Sequence, residues 1–424
     1  MSVISEPALP TQKLSLPTLI LTSTYALGVN VVWLAYNIFI LPLQVQSVTS
    51  ESTKGIAVGV LAGVAIGVAV IVNIVAGIIS DHSSSRFGRR RPMMFWGMIL
   101  TLPFILLPLF TPLSLFTVAL AYLGMQIFTN VSSGAWQPTL ADFVPVEQRG
   151  ISAGIKGVFT LLGSAIGVGG ITALFAAHLQ SIAFLVIAGF FLIATISNVL
   201  AMWKLDKPMT DARTLNPKEI LANMIHIQKQ PGISIFWWFV LGSFLIYLGV
   251  SGFQFFGVYY IESILHITAP DAVAQAIQIS GLLNLVIGVV FSLLAGFLSD
   301  KFGRRNIIIL SVVIASAVGL LFPFARTFAT FLGFSSLYGA ANGVILSVDT
   351  ALTSDLVPRE EAGKYMAYAN LAVGVANGVA PPIFGVILNV QGAPTLTSFI
   401  LFFVVSALFF MASAILMALK VPNR

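Results

Sequence analysis

The chain has 424 residues, of which 58% are hydrophobic and only 8% are charged, and it contains no cysteine. A soluble domain usually has about 25% charged residues, so these charges are too few to cover a soluble protein of this length. The composition therefore excludes a soluble enzyme, a nucleic-acid-binding protein and a disordered chain. Without cysteine, the chain also lacks the means to form disulfides or thiolate-ligated metal or redox sites.

Twelve stretches of the sequence are long and apolar enough to cross a bilayer, which takes roughly 20 mostly apolar residues. All twelve are expected to be helices, because a backbone in lipid must satisfy its own hydrogen bonds. The sequence therefore predicts an all-α membrane protein with twelve transmembrane helices. The stretches run near 16–44, 55–80, 92–112, 114–141, 149–177, 181–203, 232–261, 272–299, 305–325, 328–354, 363–389 and 395–419.

The basic residues set the predicted orientation of these spans. The net charge is +6, and with the N-terminus in the cytosol 19 of the 21 Lys and Arg residues fall at the cytosolic side or at cytosolic helix ends. Only Lys54 and Arg326 fall elsewhere. The N-terminal segment also lacks the basic region and the cleavage site of a signal peptide. We expect a multi-pass protein of the plasma or inner membrane with both termini in the cytosol.

The longest polar segment divides the chain nearly in half. It covers residues 204–231, between the sixth and seventh predicted spans, and its Asn216-Pro217 pair is typical of a helix start. We therefore predict a six-helix bundle over 1–203, a cytosolic linker with a short helix over 204–231, and a second six-helix bundle over 232–424.

Two loop motifs of the first half recur in the second. After the second span the sequence reads GIISD and then RFGRRR, and after the eighth span it reads GFLSDKFGRR. After the fourth span it reads DFVPVEQRG, and after the tenth it reads DLVPREEAG. A repeat of six spans predicts two bundles related by an axis along the membrane normal, with a solute site between them near the middle of the membrane.

The first pair of motifs resembles the signature of the major facilitator superfamily, and the resemblance covers essentially the whole chain. The first copy carries four extra residues between Asp81 and Gly88, and the fourth span ends in GAWQPTLADFVP. Both features resemble the sucrose–proton symporters and the related glycoside–cation symporters. Gln137 occupies the place where plant-type sucrose symporters carry an Arg. The resemblance implies symport of a sugar or glycoside coupled to H⁺ or Na⁺, with no other cofactor and no bound metal.

The charged residues of these motifs are predicted to latch the cytosolic side. Asp142 is placed to pair with the arginines of the first-half loop, and Asp355 with those of the second-half loop. The resemblance implies that Asp81 and Asp300 each face a helix of the opposite half. An alternative is that the charges only anchor the loops at lipid headgroups. The predicted latch residues are Asp81, Arg86, Gly88, Arg89, Arg90, Asp142, Asp300, Gly303, Arg304, Arg305 and Asp355.

Polar side chains follow helical spacing in the first, fourth, seventh and tenth spans, which are equivalent in a repeat of three spans. The resemblance implies that these four spans line a central cavity. Amides and hydroxyls beside Trp and Tyr suit a hydroxylated solute such as a sugar, although hydrogen bonding between helices favours the same residue types. The predicted cavity residues are Asn30, Trp33, Tyr36, Asn37, Gln126, Asn130, Ser133, Gln137, Tyr247, Ser251, Gln254 and Asn342.

Two charges lie within the spans. Asp349 is six residues before Asp355, and Lys156 is six residues after Gly150, so each is about 9 Å deep. Because charges inside the membrane mark functional sites, Asp349 and Lys156 are predicted to form a gate or to carry the coupling proton. The alternatives are a static ion pair, or a Lys156 that extends to the headgroups.

Three classes of function are compatible with these features. A secondary transporter is favoured, because the chain has no nucleotide-binding P-loop. It would import a sugar with H⁺ or another cation or, alternatively, export a drug or metabolite. A sensor that binds without transporting is the hypothesis from another class, whereas no motif supports an enzyme. The expected partners are a small solute and the lipid bilayer, with no nucleic acid, and we expect a monomer.

Overall fold

The computed structural model describes residues 13–207, 233–357 and 362–422, and in these ranges it contains helices but no strand. Twelve of the helices are long and apolar enough to cross a membrane, which confirms the predicted spans and the all-α class. The predicted linker helix at Asn216-Pro217 lies outside the described residues. The helices, numbered α1 to α12 in chain order, are Leu16–Val48, Lys54–Asp81, Arg91–Phe110, Leu115–Phe143, Val146–Ala176, Gln180–Lys204, Ile233–Ser263, Pro270–Phe302, Arg304–Phe324, Phe328–Leu356, Ala362–Leu388 and Leu396–Lys420.

The two ends of the bundle differ in charge. One end carries the arginine-rich connections 82–90 and 303, and we call it the basic face. The other end carries the connections 49–53, 264–269 and 389–395, and we call it the opposite face. Each helix crosses from one face to the other, so α1, α3, α5, α7, α9 and α11 begin at the basic face.

The repeat of six helices is visible in local structure at the opposite face. At the start of α4, Ser114 caps the helix by accepting from the backbone N–H of Thr117, whose side chain accepts from Ser114 in return. Thr327 and Thr330 form the same reciprocal pair at the start of α10. Such capping boxes satisfy two backbone N–H groups that the first helical turn leaves free.

The regular α-helix is interrupted in α1 and α5. Each contains one π-helical turn, at Tyr36–Ile40 and at Ile166–Gly170 respectively. The two helices touch where α5 has glycine, because a Cβ at Gly163 would overlap the carbonyl oxygen of Leu27 in α1. Single π turns inside α-helices are frequent at functional sites, and both of these lie beside the central cavity described below.

The hydrophobic core is continuous across the two halves only in part of the molecule. One cluster contains side chains from both halves, such as Phe39 of α1 and Phe256 of α7. A second cluster, which includes Phe236, Ile308 and Met417, belongs to the second half alone. The halves meet through α2 with α11, α5 with α8, and α1 with α7. These contacts involve the ends of the helices near the opposite face, and they leave a space between the halves towards the basic face.

Candidate functional site

A cavity of about 1150 Å³ lies between the two halves. Leu34 and Ile38 of α1 form its inner end together with Phe253 of α7, while Lys156 of α5 and Thr350 of α10 lie nearer the basic face. Ligand pockets usually measure about 300–1,000 Å³, so the space is large enough for a small solute with some water. Its walls come from α1 and α5 of the first half and from α7, α8 and α10 of the second.

The contact of α2 with α11 closes the two halves against each other at the opposite face. Glycine recurs at every fourth residue of α2, at Gly55, Gly59 and Gly63. A Cβ at Gly59 would overlap the carbonyl oxygen of Pro381, and one at Gly55 would overlap the side chain of Asn389. Small residues at this spacing let membrane helices approach closely. This spacing is visible in the sequence, although it was not part of the prediction.

Polar side chains complete the closure. Lys54, with only 3% of its side chain exposed, lies 3.9 Å from Glu262 of α7 and packs its ammonium over the ring of Tyr259 at 4.8 Å. The amide of Gln46 donates to Glu262 at 2.9 Å, and Asn389 accepts from the backbone N–H of Ile56 at 3.0 Å. We call Gln46, Lys54, Tyr259, Glu262 and Asn389 the polar seal. Sequence analysis placed Lys54 outside the basic side but assigned it no partner.

Two of the predicted cavity residues, Gln254 and Asn342, line the central cavity. In the first half, several of the others are held by hydrogen bonds between or within its helices. Asn37 accepts from the hydroxyl of Tyr122 at 2.8 Å, and the amide of Gln126 donates to the same hydroxyl at 3.1 Å. Asn130 donates to the carbonyl of Gln126 at 2.8 Å. The bond between Asn37 and Tyr122 connects α1 with α4, as the alternative interpretation expected, whereas the other two bonds lie within α4.

The remaining predicted cavity residues also have local contacts. Ser133 bonds the hydroxyl of Tyr25 at 3.0 Å, Asn30 donates to the carbonyl of Ala26 at 2.7 Å, and Tyr36 donates to the carbonyl of Ile105 at 3.2 Å. Trp33 and Tyr247 pack against the core, and Ser251 donates to Asn377. Gln137 borders a small pocket between α1, α4 and α5.

The structure adds polar wall residues on α5 and α8 that the sequence analysis did not select. Thr160 and Ser164 of α5 follow Lys156 at intervals of four residues, so the three share one helix face. Ser280 and Asn284 of α8 are spaced in the same way. Their i, i+4 spacing is a usable signal in the sequence, although the predicted cavity residues come only from the first, fourth, seventh and tenth spans.

The two charges within the spans are held apart. Lys156 lines the cavity and places its ammonium over the ring of Trp136, 4.5 Å from the ring centre. Asp349 is buried in the second half, where it accepts from the hydroxyl of Ser243 at 2.6 Å. Within the described part of the chain, neither forms an ion pair within 4 Å.

At the basic face of the first half, Arg90 is the centre of the charged network. Its guanidinium pairs with Asp142 at 2.8 Å and with Asp81, and it donates to the hydroxyl of Ser80 at 2.6 Å. Arg89 also pairs with Asp142, at 2.6 Å. The network ties the end of α2 to the start of α3 and the end of α4, all within one half.

A carboxylate from the end of α6 caps the start of α3. Asp206 accepts from the backbone N–H groups of Arg89, Arg90 and Arg91 at 2.8, 2.8 and 2.9 Å. Gly88 has a φ of +100°, and a Cβ there would overlap Asp206, so glycine is required on two grounds. Sequence analysis recognised Gly88 but not Asp206, because the capping carboxylate lies far away in the sequence.

The second half repeats the arrangement with fewer contacts. Arg304 pairs with Asp355 at 2.8 Å, lies 3.6 Å from Asp300, and donates to the carbonyl of Ala351 at 2.8 Å. Gly303, with a φ of +86°, makes the turn between α8 and α9. These ion pairs, like those of the first half, connect helices of a single half.

The other two motif arginines have different contacts. Arg305 donates to the backbone carbonyl of Val421 at 2.9 Å, which fixes the end of α12 to the start of α9. Arg86 places its guanidinium over the ring of the adjacent Phe87, at 4.7 Å. Within the described residues, the ion pairs of the basic face therefore stabilise each half separately.

Solved transporters share this fold over nearly the whole chain. A bacterial homologue of the human lysosomal transporter Spinster, solved in an inward-facing and unoccupied conformation, is 15% identical with a TM-score of 0.70, covering 96% of this chain and 98% of that one. A D-xylose–proton symporter is 17% identical with a TM-score of 0.68, covering 96% and 97%. The nucleoside transporter NupG is 13% identical with a TM-score of 0.69, covering 96% and 99%. All three are transporters rather than enzymes.

Curated relatives match over shorter stretches. The MFS transporter asaE of Aspergillus flavus is 34% identical over 23% of this chain and 22% of its own length. The riboflavin transporter MCH5 of Saccharomyces cerevisiae is 30% identical over 38% and 30%, and citrate exporter 1 of Yarrowia lipolytica is 30% identical over 27% and 16%. The aligned part of the chain thus spans less than a third of each of these relatives.

The family profile described as Major Facilitator Superfamily matches residues 18–290 and 276–424. These ranges include all twelve spans, both copies of the loop motifs and the cavity between the halves. Together with the shared helical architecture, the match confirms the resemblance at the level of the superfamily and makes this chain an integral multi-pass membrane protein. The chain belongs to the major facilitator superfamily.

Proposed function

We propose that this protein is a secondary active transporter that moves a small solute by alternating access. The observation that carries the proposal is the central cavity of about 1150 Å³ between two halves that α2 and α11 hold in close contact at the opposite face. A site between two repeated bundles, closed at one face, is one of the two conformations that a rocking mechanism requires.

We propose that the basic face lies in the cytosol, which the distribution of basic residues supports. The structure then corresponds to an inward-facing conformation, the state in which the Spinster homologue was solved. To face outward, the halves would separate at the polar seal and approach each other at the basic face. We further propose that the transporter works as a monomer in the bilayer.

The specific form that the loop motifs favour is symport of a sugar or glycoside with H⁺ or Na⁺. The inserted first loop and the end of α4 support it, as does the shared fold with a D-xylose–proton symporter. Asp349 is the proposed coupling residue, because it is the buried carboxylate of the α7–α10 interface. Reversible protonation there would alter the contact with Ser243, and so link a proton to the packing of α10.

Export of a metabolite is the second candidate within the same mechanism. It is supported by the citrate exporter of Yarrowia lipolytica among the relatives. A sensor that binds without transporting is the candidate from another class. It predicts solute binding to the purified protein without exchange of solute across the membrane.

Uptake into proteoliposomes tests the proposal. Purified protein is reconstituted, and uptake of radiolabelled mono- and disaccharides is measured with and without an imposed proton or sodium gradient. Gradient-driven accumulation of one sugar supports the symport. If no sugar accumulates but another solute, preloaded into the vesicles, exchanges across the membrane, the transport proposal is upheld and the sugar proposal is wrong. Binding without any exchange would favour the sensor.

A further inference from the structure

We infer that the solute recognised in the central cavity carries a carboxylate group, and that this group pairs with Lys156. The inference rests on the proposed transport function. It concerns the charged group of the solute. The rest of the solute is a sugar in the leading proposal. The inference follows from the position of Lys156, from its lack of a counter-charge among the described residues, and from the polar groups that line the same cavity.

The side chain of Lys156 is held against a tryptophan of α4. Its ammonium lies over the ring of Trp136, 4.5 Å from the ring centre. Trp136 is itself only 7% exposed, and its indole N–H donates to the backbone carbonyl of Thr22 at 3.2 Å. The ring is therefore fixed, and it holds the ammonium of Lys156. Lys156 borders both the central cavity and the small side pocket.

The cavity supplies no protein carboxylate for this cation. Among the described residues that line the cavity there is no Asp or Glu. Asp349, the buried carboxylate of the second half, already accepts from Ser243 at 2.6 Å and is absent from the lining. Removing an ammonium from water is costly unless an anion or a set of hydrogen-bond acceptors replaces the water. One cation in an otherwise uncharged cavity favours anions over neutral solutes and over cations.

Other polar side chains of the same cavity offer further hydrogen-bond donors to a carboxylate. Thr160 and Ser164 follow Lys156 on the same face of α5, and Asn342 and Gln254 line the walls contributed by α10 and α7. A carboxylate has two oxygens and about four acceptor positions, so hydroxyl and amide donors can bind it beside the ammonium. Such a charge-assisted hydrogen bond is about twice as strong as a neutral one.

The test compares each carboxylate with its neutral counterpart. Binding to the full-length protein in lipid nanodiscs is measured by the shift of its thermal unfolding midpoint. The three probe pairs are octanoate with octanamide, phenylacetate with phenylacetamide, and galacturonate with galactose. The variants are Lys156→Gln and Lys156→Arg. The matched control is Lys420→Gln, since Lys420 also lies over a tryptophan, Trp238, at 5.5 Å, but does not line the cavity.

We expect at least one carboxylate to bind about tenfold to a hundredfold more tightly than its neutral partner. Lys156→Gln should abolish this preference, whereas Lys156→Arg should retain most of it and Lys420→Gln all of it. The inference is overturned if no carboxylate is preferred, or if the preference survives in Lys156→Gln.

Exchange across proteoliposome membranes separates this inference from the proposed function. Exchange of galactose without any preference for galacturonate would uphold transport and overturn the carboxylate site. Preferential carboxylate binding without exchange would uphold the site and contradict transport.

Discussion

The ammonium of Lys54 lies 3.9 Å from the carboxylate of Glu262, across the boundary between the two halves at the opposite face. Both side chains are largely buried, at 3% and 12% exposure, and Gln46 binds the same carboxylate. Because Lys54 belongs to α2 and Glu262 to α7, the pair must separate when the halves part at this face. The contact therefore stabilises the conformation seen here over one that is open at the opposite face.

Glu262→Gln is expected to weaken this closure. Loss of a partly buried ion pair should cost about 1 kcal/mol, which shifts the equilibrium about fivefold towards the form open at the opposite face. The native chain has no cysteine, so Ile38→Cys at the inner end of the cavity provides a single reporter thiol. Its labelling by a membrane-impermeant maleimide added at the opposite face should become about fivefold faster.

Glu51→Gln is the matched control, because Glu51 also pairs with Lys54 but lies in the same half and is 67% exposed. Its labelling rate should stay close to that of the parent. Equal labelling rates in the parent, Glu262→Gln and Glu51→Gln proteins would show that the Lys54–Glu262 pair does not hold the opposite face closed.

Gly59→Ala is expected to disturb the α2–α11 contact. The added Cβ would overlap the backbone carbonyl of Pro381, so the helices must separate, at a cost of about 1–3 kcal/mol. The same Ile38→Cys reporter should label faster from the opposite face. Gly67→Ala in the same helix is the control, because a Cβ there has no neighbour within 4 Å. Equal effects of the two substitutions would contradict the packing account.

Asp206→Ala is expected to destabilise the first half. Three backbone N–H groups at the start of α3 would lose their acceptor, at a cost of about 2–4 kcal/mol. Thermal unfolding in detergent should show a clearly lower midpoint. Asp271→Ala should cost less than about 1 kcal/mol, because Asp271 lies in the first turn of α8 without capping it. A midpoint of Asp206→Ala equal to that of the parent would disprove the capping role.

Asp349→Asn is expected to separate transport from coupling. Asparagine has nearly the same shape and still accepts from Ser243, but it does not take up or release a proton. Exchange between equal solute concentrations should persist, while accumulation driven by a proton gradient should fall to passive equilibration. Asp271→Asn should accumulate solute normally. Normal gradient-driven accumulation by Asp349→Asn would exclude Asp349 as the coupling residue.

Much of the architecture could be predicted from the sequence. A helix in lipid has to be continuously apolar, so hydropathy alone located all twelve spans. The charged loops pair over short distances within each half. Spacing was enough to predict that Asp142 pairs with Arg89 or Arg90 and Asp355 with Arg304 or Arg305, and the structure contains the pairs of Asp142 with both Arg89 and Arg90 and of Asp355 with Arg304.

The walls of the cavity were harder to predict, because amides and hydroxyls suit both a wet cavity and a contact between helices. Asn37 and Asn130 form such contacts in the first half, with Tyr122 and Asn73 respectively, whereas the similar Gln254 and Asn342 line the cavity. Whether such a side chain lines the cavity or contacts another helix depends on how each helix is rotated about its axis relative to its neighbours. The capping role of Asp206 could not be predicted either. Asp206 follows α6, and it reaches the start of α3 only because of how the three helices after α3 fold back.

Distances between spin labels in nanodiscs test the central claim most directly. In the cysteine-free chain, one label pair spans the opposite face at Glu51 and Gln391, in the connections next to α2 and α11. Another joins α5 and α8 across the cavity, at Ala153 and Leu293. Alternating access predicts that, as solute and proton gradient are varied, the first distance lengthens when the second shortens. Two distances that stay fixed in every condition, or that lengthen together, would contradict the account.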